Sequence, residues 1–233
     1  MKQAKIILLR HGQCEGGSIL RGKTDVALTD LGLTNMHQSA AKLGLLGCLP
    51  SLQLYSSPLV RCHAFAAELA QQLNQVSADL ALQVEIMSQL QEIDFGLWDG
   101  KSFAELYQHS AKALDAYWDN PWEHGAPQAE PMAEFEQRVA QAFAQITLQA
   151  YNLAEAHTAE ANSAKATASA TALVVTHGGV IRHIIALVLG LERCKGLYGQ
   201  LNIDYAATVT IDVFWPEADD KSTKPVYRLN WNN

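Results

Sequence analysis

The stretch "KIILLRHGQCEGG", residues 5–17, decides how the rest of the chain is read. Its aliphatic residues 6–9 run without alternation, the pattern of a strand covered on both faces in a parallel α/β sheet. A strand that merely reaches the surface ends in a turn signal such as Asn-Gly. This one ends in Arg10 and His11, two side chains able to hold and attack an anion, followed by Gly12.

Working outward, "TDLGLTNMHQSAAKLGLLG" from Thr29 reads as a helix, with Thr29 as N-cap and Leu33, Met36, Ala40 and Leu43 on one face. "LQLYSS" (52–57) is a short strand. The next helix is expected to start with Ser57 as N-cap and Pro58 in its first turn. "LQVEIM" (82–87) is a third strand, and residues 101–150 are helical in pattern with a break at "DNPWEHGAP". "ALVVTHGG" is another buried strand, opening into "GVIRHIIALVL" with Gly190 as the stop signal. "ATVTIDVFW" and "VYRLNW" read as an edge hairpin. The order predicts one α/β domain over residues 1–233: a three-layer α/β/α arrangement with a mostly parallel central sheet and a helical cap insertion at about 101–150. The segment "AEAHTAEANSAKATASATA" (154–172) is rich in alanine and small polar residues. With few large apolar side chains to bury, it is expected to be a low-complexity surface insertion.

Composition narrows the partners. Hydrophobic residues make up 48% of 233 and charged ones 18%, as in folded globular proteins rather than disordered ones. A formal charge of −7 disfavours a nucleic-acid partner, so an anionic ligand must meet a local cluster of arginines. Cys14, Cys48, Cys62 and Cys194 are scattered, with no C-x-x-C pair, and are expected to be free thiols. "KIILL" is too short for the apolar region of a signal peptide, and no apolar run reaches the ~20 residues of a membrane span. The expectation is a cytoplasmic protein with no membrane partner; the sequence leaves its oligomeric state open.

In an open parallel sheet, ligands bind outside the carboxyl ends of the strands, where helix N-termini also point. Arg10 and His11 end the first strand, Arg61 sits in the first turn after "YSSP", and His177 ends "LVVT" before another helix. Each alone has a plainer reading as a surface or structural residue. Together at strand ends they form a candidate phosphate site, because guanidinium forks match phosphate oxygens. No H-E-x-x-H motif, acidic loop or cysteine cluster implies a metal, and nothing implies a cofactor.

"LLRHG" (8–12), "GKTDVALTDLG" (22–32), "SSPLVR" (56–61), "EIDFGLWDG" (92–100) and "VVTHGGVIR" (174–182), in this order, resemble the histidine phosphatase superfamily, in its phosphoglycerate mutase-like branch. The resemblance implies that His11 is the nucleophile, forming a phosphohistidine, and that Arg10 and Arg61 bind the phosphoryl oxygens. It makes His177 a further donor to the transferring group and Glu92 the general acid. Cys14 and Gly17 stand where the family commonly carries Ser or Thr, then Asn, and Gln13 is expected to replace part of that contact. The acid block is closer to the phosphatase form than to the mutase form. Residues 113–143 look most like the α-ribazole phosphatases of cobalamin synthesis. The partner implied is thus a small-molecule phosphate ester. A broad-specificity phosphatase, a phosphoglycerate mutase and a non-catalytic phospho-ligand binding module remain as alternatives.

Overall fold

The computed structural model describes residues 2–46, 51–76, 81–160, 169–216 and 224–231. Strands β1 (Lys2–Arg10), β2 (Leu52–Ser56), β3 (Val84–Ile86), β4 (Ser169–Thr176), β5 (Thr208–Trp215) and β6 (Val226–Trp231) form one sheet in the order β3-β2-β4-β1-β5-β6. The β1–β4, β2–β4 and β2–β3 pairs are parallel, whereas β5 pairs antiparallel with both β1 and β6.

The unbroken apolar run in β1 has a direct cause. Successive strand side chains point to opposite faces, and both faces are covered. Ile6 and Leu8 pack with Val139, Ile146, Val180 and Ile184, while Ile7 and Leu9 pack with Met36, Phe65 and Leu69. All four β1 residues are at most 2% exposed, a burial worth roughly 1.5–3 kcal/mol for each side chain. The helices behind these contacts are α4 (Met132–Glu160) and α5 (Gly178–Leu189) on one face, with α1 (Asp30–Lys42) and α2 (Val60–Val76) on the other. Helix α3 (Phe103–Asp119) and the short α6 (Leu197–Gln200) lie against each other.

Local signals set several boundaries. Thr29 caps α1, its hydroxyl accepting from the N–H of Gly32 at 3.0 Å, an interaction worth about 1 kcal/mol. Gly190 ends α5 in the left-handed conformation at φ 67°.

Three expectations need correction. Helix α2 begins at Val60 rather than after Ser57; the Ser57 hydroxyl accepts from the Leu59 N–H at 3.3 Å and lies 2.8 Å from His177 Nε2. Helix α4 packs against β1 and β4, so residues 132–150 belong to a layer of the sandwich and not to a cap. The alanine-rich segment is occupied at both ends by regular structure: α4 continues to Glu160 and β4 starts at Ser169. Ala154, Ala170 and Ala172 are all fully buried in one core cluster. Small side chains let a helix approach a sheet closely, so few large apolar residues does not mean nothing to bury. Residues 161–168 lie outside the described residues.

Candidate active site

Three neighbouring parallel strands end together. Arg10 of β1 is in register with Thr176 of β4, and the His11 N–H donates to the Thr176 carbonyl at 2.9 Å. His11 and His177 therefore emerge side by side, their ring centroids 5.3 Å apart. Ser57, just past β2, donates its N–H to the Val175 carbonyl at 3.0 Å.

His11 is 4% exposed, and its Nδ1 lies 2.8 Å from the Gly12 carbonyl. A carbonyl only accepts, so Nδ1 carries the proton and Nε2 keeps its lone pair. Burial, then the guanidinium charges of Arg61 and Arg10, hold the imidazole well below its ordinary pKa of 6.5 and keep it neutral. His177 is fully buried, with Nε2 2.8 Å from the Ser57 hydroxyl and 3.6 Å from the Cys62 thiol. The same causes, burial first and then Arg61, push it well below the ordinary value too.

Arg61 is fully buried and donates to the carbonyls of Gly22 at 2.6 Å and Thr24 at 2.9 Å. That loop is tied by Asp99, which accepts from the N–H groups of Lys23 and Thr24 at 2.9 Å and from the Thr24 hydroxyl. The sequence blocks "GKTD" and "LWDG" thus form one support for a guanidinium. Only glycine fits at position 22, where a Cβ would meet the Ile93 carbonyl oxygen at 2.2 Å. Arg10 donates to the Ile203 carbonyl and lies 4.3 Å from the Tyr205 ring. The Nε atoms of Arg10, Arg21 and Arg61 are buried without a partner among the described residues.

A cavity of about 220 Å³ opens over these strand ends, lined by Arg10, His11, Glu92 and Arg182 and walled by Phe103, Tyr117, Trp118, Tyr198 and Tyr205. Arg61 and His177 lie beneath it rather than in its lining. Glu92 reaches it from the loop after β3, its carboxylate accepting from the Gly179 N–H at 2.9 Å. That N–H belongs to the first turn of α5. A wider groove of about 1090 Å³ runs between α1 and the β5–β6 pair, but neither histidine borders it. Here side-chain chemistry identifies the site, and size does not.

Gln13 departs from expectation. It is exposed and does not line the cavity, and its carbonyl accepts from the Thr29 N–H at 2.9 Å. The neighbouring Cys14 turns inward instead, its thiol 3.4 Å from His11 Nδ1. Of the two tryptophans flanking "DNPW", Trp118 lines the cavity. Trp122 borders a separate cavity, where its Nε1 donates to Glu136 at 2.8 Å.

Sequence reading missed Arg21, Arg182, Tyr198 and Tyr205. Arg182 carried a usable signal: it lies four residues after Gly178, on the same face of α5. Its Nε donates to the Leu201 carbonyl at 2.7 Å, while its terminal nitrogens have no hydrogen-bond partner among the described residues. The Tyr198 hydroxyl is likewise buried without one.

Residues 6–214 match the family model "Histidine phosphatase superfamily (branch 1)". The chain belongs to the histidine phosphatase superfamily. As a histidine phosphatase it is an enzyme, and several of its relatives are named phosphatases. It is 29% identical to the adenosylcobalamin/alpha-ribazole phosphatase of Escherichia coli over 80% of each chain. It is also 29% identical to the glucosyl-3-phosphoglycerate phosphatase of Mycolicibacterium vanbaalenii, over 82% of this chain and 76% of that one. Several longer mycobacterial proteins match over 48% of their own length. In fold, this histidine phosphatase superposes on the solved structure of mycobacterial hydrolase 1 with a TM-score of 0.76, covering 99% of both chains at 23% identity. No helix among the described residues is long and apolar enough to cross a membrane.

Proposed function

We propose that this histidine phosphatase hydrolyses small-molecule phosphomonoesters through a phosphohistidine on His11. The observation that carries the proposal is the neutral His11 imidazole in the cavity wall, its Nδ1–H tied to the Gly12 carbonyl beside the Arg10 guanidinium. The Nε2 lone pair forms a bond to phosphorus as the ester P–O bond breaks. Arg10 in the wall, with Arg61 and His177 beneath, stabilises the charge on the transferring group. Glu92 gives its proton to the departing alkoxide oxygen, a contribution typically worth ~10²–10⁴ in rate. The carboxylate then takes a proton from water, whose oxygen attacks the phosphohistidine, releasing inorganic phosphate and restoring His11. The arginines supply the positive charge, so activity is expected to persist in excess EDTA after dialysis. Turnover of p-nitrophenyl phosphate separates this reading from a binding module without chemistry. A coupled assay with a bisphosphoglycerate primer separates it from a mutase.

For the substrate we infer α-ribazole phosphate, whose departing group is α-ribazole. Support comes from the flat aromatic wall of Phe103, Tyr117 and Trp118, which suits a planar ring, and from the likeness to the E. coli relative. One observation favours a second reading, a leaving group that bears a carboxylate. The terminal nitrogens of Arg182 and the buried Tyr198 hydroxyl border the cavity without a hydrogen-bond partner among the described residues, and a carboxylate would satisfy both. Comparison of kcat/KM for α-ribazole phosphate, O-phosphoserine and glycerol phosphate decides between them. Under the second reading, Arg182→Gln raises KM for O-phosphoserine and leaves glycerol phosphate unchanged.

A further inference from the structure

Glu92 follows a short 3₁₀ turn, Ser88–Leu90, and the backbone carbonyls from Gln89 onward have no helix or strand to continue into, so they must be satisfied elsewhere. Here side chains take up four consecutive carbonyls. Arg138, on α4, donates through Nη1 to Gln89 at 2.8 Å and to Gln91 at 2.7 Å, and through Nη2 to Glu92 at 3.2 Å. The Thr176 hydroxyl, at the end of β4, donates to Leu90 at 2.8 Å. The remaining two Arg138 N–H groups go to the Glu130 carboxylate, Nε at 2.5 Å and Nη2 at 2.7 Å. A guanidinium has five donors, and each finds an acceptor. Glu130 is itself joined to the same segment, its N–H donating to the Asp94 carbonyl at 2.9 Å.

We propose that Arg138, oriented by Glu130, is a positioning residue for proton delivery: it fixes the main chain of residues 89–92 so that the Glu92 carboxylate meets the Gly179 N–H at the rim of the cavity. The proposal rests on Glu92 acting as general acid. Arg138 is absent from the cavity lining and acts only through the backbone it grips. Its planar fork is what the geometry requires, because one point charge cannot reach three carbonyls and a carboxylate together. Lysine at this position keeps the charge and loses the fork.

The readout is leaving-group dependence. An alkoxide needs a proton as it departs, whereas p-nitrophenolate does not, so only alkyl esters register a misplaced acid. kcat/KM is measured for glycerol phosphate and p-nitrophenyl phosphate with the full-length wild type, Glu92→Gln, Arg138→Lys and Glu130→Gln. Thermal melting is followed in parallel. A displacement of about 1 Å is worth ~10²-fold. Arg138→Lys is accordingly expected to lower the glycerol phosphate value by between about tenfold and a hundredfold. It should change the p-nitrophenyl phosphate value by less than about threefold. Glu130→Gln should show the same pattern more weakly, and it carries the comparison if Arg138→Lys does not fold. Equal losses on both esters, or none, with Glu92→Gln still selective, would overturn the positioning role alone. A Glu92→Gln protein with no selectivity between the esters would overturn the acid role and this proposal with it.

Discussion

The Gly179 N–H donates to Glu92 Oε2 at 2.9 Å, and a β-carbon on that glycine would stand 2.3 Å from Oε1. The absence of a side chain at position 179 thus lets a carboxylate rest on the first turn of α5. Because the obstructed atom is the far end of a flexible side chain, Gly179→Ala can be accommodated by turning Glu92 away. Alanine is also favoured over glycine within a helix by about 1 kcal/mol. The variant is expected to melt at or above the wild-type temperature while losing roughly tenfold or more in kcat/KM on alkyl phosphates. A large fall in melting temperature would show that the glycine serves packing instead.

Removal of the nucleophile proposed above is expected to separate binding from turnover. His11→Ala should abolish hydrolysis and leave the fold intact, since the ring borders a cavity rather than filling the core. In the wild type, rapid acid-free quenching should trap a phosphoenzyme that is stable in base and labile in acid. Undiminished turnover by the alanine variant would refute the phosphohistidine route.

Stability should fall with acidification before ordinary carboxylates titrate. Burial depresses His11, His177 and His183, and in the first two nearby arginines add to the effect. In the unfolded chain these histidines titrate near ~6.5, so below that pH the unfolded state binds more protons than the folded one. Stability is therefore fully present above ~6.5 and is lost as pH falls toward the lowered folded values. The slope is up to about 1.4 kcal/mol per pH unit for each histidine. Urea unfolding at pH 7.5 and at pH 5.5 measures it, and equal midpoints would refute it. Inorganic phosphate should narrow the gap, because its negative charge favours protonated imidazoles nearby.

The two tryptophans flanking the break after α3 should behave differently. Trp118 lines the cavity, so Trp118→Ala is expected to raise KM for α-ribazole phosphate and barely alter glycerol phosphate hydrolysis. Trp122 lies outside that lining, bonded to Glu136 and in ring contact with Tyr198 at 5.8 Å. Trp122→Ala should lower stability without a substrate preference. Equal kinetic effects of Trp118→Ala on both substrates would assign that ring to packing alone.

What could be read from the sequence was mostly local or periodic. The run at residues 6–9 announces a strand covered on both sides, Thr29 announces a helix start, and Gly190 announces a helix end. Each of these depends on the chemistry of a few neighbouring residues. Ser57 was misleading because its hydroxyl, besides accepting from the nearby Leu59 N–H, meets His177, 120 residues away. Cys14 rather than Gln13 turns inward beside a close approach of Gly12 and Gly32, where a Cβ on Gly12 would meet the Gly32 carbonyl oxygen at 2.2 Å. Nothing in the spacing of those residues reveals that contact. The extent of α4 was hidden for another reason: Ala150 and Ala154, buried near its end, are alanines, which patterns based on large apolar residues overlook.

The register of β1 with β4 has a consequence for how the molecule breathes. Eight consecutive residue pairs, from Gln3 with Ser169 to Arg10 with Thr176, join these central strands, and both histidines follow directly from their ends. Central strands open only with the whole domain, whereas peripheral segments open locally at lower cost. In deuterium exchange, the slowest amides should therefore lie within a residue or two of His11 and His177. Amides of α3, which walls the leaving-group side, should exchange much sooner. The groups that handle phosphorus would then be held on the most slowly opening part of the molecule, while the surface that meets the varied remainder of the substrate moves on a faster clock.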